Sequence, residues 1–164
     1  MSDRTTRALL GTTLLFWLVM IAVSPSDCAV WRICLFDAPR APYGPDAARL
    51  YLSYLGETAL HRYLWVVQPL DLIFPALLCL AFRETFARLA PERLAMRLGR
   101  LAVLAAGADY LENALIRVML KQPGGDFPDL VPLLATGLTT VKWILLAFLF
   151  AALARLLLAW RSVR

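Results

Sequence analysis

Asp109, Glu112 and Asn113 lie at positions i, i+3 and i+4 of the stretch "ADYLENALI". On a helix that spacing sets two carboxylates and an amide on one face. The chemistry open to such a set is that of acids held away from water. They can keep a proton, bind a cation or an amine, or act as a general acid–base pair. The segment from Leu101 to Leu120 is otherwise mostly leucine, alanine, valine, isoleucine and methionine. Ala102, Ala105 and Ala106 extend the acidic face, and small residues let a neighbouring helix approach closely. The face is therefore expected to look into the protein.

Two other apolar segments carry partners. Asp71 stands in "QPLDLIFP" between Pro69 and Pro75, with Gln68 one turn before it, and Lys142 stands in "TTVKW" with Thr139 one turn back. Prolines at such positions remove backbone donors and loosen a helix. At a rise of about 1.5 Å per residue from the outer ends of the segments, Asp71 and Glu112 fall roughly 12 Å deep. Asp109 and Lys142 fall roughly 18 Å deep by the same measure. Three helices thus bring charge to one layer. Fully ionised, the layer holds three carboxylates against one ammonium, with Arg117 expected to reach down from the outer edge. A proton, a cation or a ligand amine would complete the balance. The competing reading is a structural lock of interhelical polar contacts, each worth about 0.6 to 2 kcal/mol.

Composition states which elements must position these groups. Of 164 residues, 60% are hydrophobic and 18% charged, with a mean hydropathy of +0.65. Soluble domains run at about 45–50% apolar and 25% charged. This is the composition of a membrane protein. The expected fold is all-α, a polytopic four-helix transmembrane bundle in one domain, 1–164. Its spans are about 8–24, 63–82, 101–120 and 130–154, with a partly helical outer loop, 25–62, and an inner loop, 83–100. The end of the fourth apolar run, with Arg155 and Arg161, is expected to emerge as a surface helix. The first segment follows Arg4 and Arg7 as a signal peptide would, but its small-residue site "AVS" is followed by Pro25, so it is read as a retained span.

With both termini cytoplasmic, ten Lys and Arg residues lie inside and six outside, the bias that sets orientation in a bacterial inner membrane. The net charge of +5 belongs to arginines at the ends of apolar runs, which argues against a nucleic-acid partner. The expected partner is the lipid bilayer, with a second copy or a membrane protein as a further partner. In the outer loop, Asp46 after Pro45 is a candidate N-cap for "AARLYLSYL", where Leu50, Tyr51, Tyr54 and Leu55 share a side. That helix is either interfacial, with tyrosines among headgroups, or a lid over the outer mouth. The inner "RETFARLAPERLAMRLGR" is expected to be a short surface helix broken near Pro91, its arginines on anionic headgroups.

Weaker signals complete the inventory. Cys28 and Cys34 could pair on the outer side, and His61, with Glu57 four residues before it, could relay protons. Three cysteines and one histidine do not supply a structural zinc site, so no metal is expected. No G-x-S-x-G or H-E-x-x-H is present, and "QPGGDFP" lacks the lysine of a phosphate loop, so no cofactor is expected.

The order "LDLIFP", "ADYLENALI", "TTVKW" resembles a group of small four-helix bacterial membrane proteins sharing a D-x-x-F-P, D-x-x-E-N, K-W pattern and a tyrosine-bearing outer helix. The resemblance spans roughly Pro45 to Leu146, with Asp71, Asp109, Glu112, Asn113 and Lys142 at its marked positions. It implies the four-helix fold and no particular activity. Three functional expectations follow from the residues. The first is a polar site, open to the outer side, for a proton, cation or small amine-bearing ligand. The second is a membrane-embedded enzyme acting on a lipid-like substrate. The third is a structural or assembly subunit of a membrane complex.

Overall fold

The structure, a computed structural model, describes residues 3–23, 36 and 42–161. Cys28 and Cys34, and any bond between them, lie outside the described residues. Every regular element among the described residues is helical. The elements are α1 (Asp3–Val23), α2 (Pro45–Tyr54), α3 (Glu57–Arg62), a π-helical turn (Tyr63–Val67), α4 (Gln68–Leu89), α5 (Glu92–Leu120) and α6 (Leu130–Arg161). Three helical stretches are long and apolar enough to cross a membrane: Arg4–Val23, Glu57–Leu89 and Leu130–Ala159. α5 is 29 residues long, but Asp109, Glu112 and Arg117 interrupt its apolar part.

The helices are longer than the sequence suggested, and the inner loop nearly vanishes. α4 runs to Leu89 and α5 starts at Glu92, so residues 83–100 extend two long helices and form no separate surface helix. The segment is rich in Glu, Arg, Leu and Ala, all good helix formers, and propensity overrides its polarity. Only Ala90 and Pro91 separate the two helices, with Ala90 extended (φ −118°, ψ 153°), as the residue before a proline prefers. At the other end of α4 the helix begins six residues earlier than expected, at Glu57, and runs through the π turn into α4. There the Gln68 N–H donates to the Tyr63 carbonyl, five residues back. Pro69 follows at once without an N–H of its own. α6 continues unbroken to Arg161, where the sequence suggested a separate surface helix.

α5 lies at the centre, packed along both α4 and α6, and α1 lies against α4. Antiparallel α4 and α5 are in register at Tyr110, whose hydroxyl donates to the Leu72 carbonyl at 3.0 Å. Buried Ala102, Ala105 and Ala108 line the central face of α5, which permits this close approach. α1 presents Leu10, Leu14, Leu15, Trp17, Leu18 and Ile21 outward. A helix apolar on all sides is suited to lipid.

Two apolar clusters close the ends. The cluster on the α2 side, taken as the outer end, joins Phe36, Tyr43, Tyr51 and Tyr63 to Ile116, Met119 and Leu120. The cluster at the inner end joins Phe82 and Phe86 to Leu98 and Leu149. α2 packs on this end of the bundle, with a different face from the one its spacing suggested. Ala48, Tyr51 and Leu52 point inward, whereas Leu50 and Tyr54 are exposed. Its start also differs: Gly44 takes the cap position and Pro45 the first turn, where the fixed proline φ suits the helix.

Arg49 fastens α2. Its guanidinium donates to the carbonyls of Gly125 and Phe127, both at 3.3 Å, and pairs with Asp129 in the α5–α6 turn. Gly125 holds φ +84°, and a Cβ there would meet Arg49 Cγ at 3.1 Å. Gly125→Ala is therefore expected to cost about 1–2 kcal/mol. Gly124→Ala, whose Cβ meets only Asp126 at 3.6 Å, serves as the control. Thermal unfolding of the two variants checks this; equal melting temperatures would refute it.

Candidate functional site

The polar residues of three helices meet in the middle of the bundle. α5 supplies Asp109, Glu112 and Asn113 from one face, α6 supplies Thr139 and Lys142, and α4 supplies Gln68 and Asp71 from its first turn. All seven are buried, Glu112 completely. Lys142 Nζ lies 2.7 Å from Glu112 Oε2 and 3.4 Å from Asp109 Oδ1, bridging two acids one turn apart. A helical side chain leans toward the N-terminus of its helix. For α6 that is the outer end, which brings Lys142 from the level of Asp109 up to Glu112.

The remaining groups orient the acids. The Thr139 hydroxyl lies 2.6 Å from Glu112 Oε1 and 2.9 Å from the Ala135 carbonyl, its one proton set between two acceptors. Asn113 Nδ2 donates to Asp109 Oδ1 at 3.2 Å. Gln68 Nε2 in turn donates to the carbonyl and the side-chain oxygen of Asn113, each at 3.4 Å. The sequence of contacts runs Gln68, Asn113, Asp109, Lys142, Glu112, Thr139, and it ties α4, α5 and α6 together. Asp71 stands one turn inward from Gln68 on the same face of α4, beside Leu72, whose carbonyl accepts from Tyr110 of α5.

Two of the sequence candidates lie elsewhere. Arg117 does not reach the carboxylates; its guanidinium sits 5.9 Å from the centre of the Trp65 ring, an arrangement favourable for a cation on an indole. His61 is exposed at the outer end, its ring 6.4 Å from that of Trp65, and has no contact with the cluster. Among the described residues no three His, Cys, Asp or Glu side chains converge as metal ligands would.

The site differs in its two directions. Toward the outer end it is covered by the apolar layer of Ile116, Met119, Leu120, Tyr51 and Tyr63. The sequence expectation of an outward-open mouth therefore meets a closed cap. Toward the inner end, a space of about 10 Å³ touches Asp109 and Lys142 between Pro75, Cys79, Ala102, Ala105 and Ala106. That is about the minimum for one water molecule. Leu78, Phe82 and Leu146 line both this space and a larger apolar groove of about 390 Å³ between α1, α4 and α6.

Sequence reasoning missed that groove because α1 contributes one wall and nothing in its sequence names a partner. Comparison with known proteins gives no match to a family model, to a curated protein or to a solved structure. The resemblance to small four-helix bacterial membrane proteins accordingly rests on the three motifs alone.

Proposed function

We propose that this chain is an integral membrane protein whose four long helical stretches all cross the bilayer, with both termini cytoplasmic, and whose buried acid–lysine cluster is a binding site for a proton or a small cation. The observation that carries the reading is Lys142 held between Glu112 and Asp109, with a third buried acid, Asp71, on the neighbouring helix α4. Carboxylates gathered around an ammonium at this depth can keep a proton or take up a cation, and an intramembrane ionisable group is by default a functional candidate. The size of the space beside Asp109 favours the smallest occupants, a proton or a lone cation with water, over an amine-bearing molecule. Asp109 is the acid next to that space, Lys142 the counter-ion, and Asn113 and Gln68 hold Asp109 in place.

A membrane-embedded enzyme acting on a lipid-like substrate is the second reading. It is favoured by the apolar groove that shares three residues with the space beside Asp109. A chain bound there would bring its head toward the acid.

A melting series from pH 4 to 9 on the detergent-purified protein tests the cluster. For Asp71→Asn and Asp109→Asn we expect stability equal to or above the parent at neutral pH, within about 1 kcal/mol, because a neutral amide of the same shape avoids the desolvation cost of a buried carboxylate. The pH dependence of melting should also flatten. Collapse of both variants would make the cluster a structural lock and favour a role as a subunit of a larger assembly.

A further inference from the structure

At the inner end, α4 and α5 diverge from their turn and leave a groove of about 780 Å³ between them. Its walls are mostly apolar, with Ala87, Met96, Val103 and Leu104, and the charged residues that line it are Arg83, Arg100 and one acid, Glu92. Both arginines are exposed. Neither forms an ion pair among the described residues, unlike neighbouring Arg88, which is joined to Glu84 at 3.2 Å. Gly99 lines the groove beside the stem of Arg83, which lies 3.5 Å from where a Cβ would be, so a large side chain there would project into the space.

We propose that this groove is a binding site for one anionic phospholipid, its phosphate between Arg83 and Arg100 and one acyl chain along Val103 and Leu104. Two guanidinium groups with no ion pair among the described residues outnumber the single carboxylate of Glu92 and stand above an apolar wall, an arrangement complementary to an amphiphile with a negative head. Arginine also suits phosphate through its planar fork of donors. The volume falls within the usual range for ligand sites, about 300–1,000 Å³. Basic pockets between helices at the inner face are a known mode of headgroup recognition. The site is separate from the acid–lysine cluster and depends only on the chain residing in a bilayer.

The test is native mass spectrometry of the detergent-purified, delipidated protein with equal amounts of phosphatidylglycerol and phosphatidylethanolamine. One retained phosphatidylglycerol is expected, with Arg83→Gln and Arg100→Gln each lowering its retention by about fivefold, roughly the effect of one arginine near a charged surface. Gly99→Leu, which leaves both charges in place, should abolish the preference by filling the groove, with melting temperature as the check on folding. Arg93→Gln and Arg97→Gln, outside the groove, should leave it unchanged. Equal losses from all four arginine variants would mean diffuse attraction to headgroups and would overturn the proposal. Displacement of the lipid by millimolar inorganic phosphate would also overturn it, in favour of a site for the free anion.

Discussion

The Lys142→Met variant is expected to lose about 3–5 kcal/mol of stability, the cost of removing one partner from a buried ion pair. Lys142 is the one ammonium against Glu112 and Asp109, at 2.7 and 3.4 Å, and Glu112 is wholly enclosed. Methionine matches the length of the lysine stem, so packing is nearly kept and the loss is electrostatic. A double variant separates these effects. Adding Glu112→Gln to Lys142→Met removes the stranded charge, leaves the Thr139 hydroxyl an acceptor, and should recover half of the loss or more. Denaturant unfolding in detergent, run as a double-mutant cycle, measures the coupling. An unchanged Lys142→Met protein would mean that the ammonium does not stabilise the acids. A double variant no better than the single one would locate the damage in packing.

Tyr51→Ala is expected to produce a loss of similar size, about 3–5 kcal/mol, as large-to-small changes of enclosed aromatic residues do. The Tyr51 ring is fully buried and meets Phe36 edge-on at 4.7 Å between centroids. Phe36 is held in turn by its backbone N–H, which donates to the Tyr63 hydroxyl at 3.1 Å. The consequence for the site is larger than the stability figure, because this aromatic layer seals the outer end. In a background with the native cysteines replaced by serine, Ile116→Cys should be inert to a membrane-impermeant maleimide. It should react readily once Tyr51→Ala is added. Equal labelling with and without Tyr51 would show that α2 does not close the bundle.

Much of the site was legible because charge in an apolar run is conspicuous and helical spacing fixes which face it takes. Asp109, Glu112 and Asn113 face inward as i, i+3, i+4 requires, and the depth count that levelled Asp109 with Lys142 agrees with their contact. The acceptor of Lys142 was harder to read. Its longer reach to Glu112 comes from the lean of the side chain, which residue counting ignores. Arg117 was assigned to the acids on charge alone, but Trp65 stands one helix away and receives it instead. Helix ends were misplaced where polarity was taken for loop, as between Arg83 and Arg100. The face of α2 was half right: Tyr51 is buried and Tyr54 is exposed, because a ten-residue helix sealing a bundle end buries only a narrow stripe.

The π turn at Tyr63–Val67 acts as a phase correction between the two ends of one long helix. In a regular α-helix the eight residues from Tyr63 to Asp71 overshoot two turns by about 80°. A turn closed by a five-residue hydrogen bond is wider and absorbs most of that excess. Tyr63, under the aromatic seal, and Asp71, further inward, are both buried, as residues on one generatrix of the helix would be. The extra residue works like the offset in a vernier. Lengthening or shortening this segment by a single position would turn everything inward of it relative to the seal.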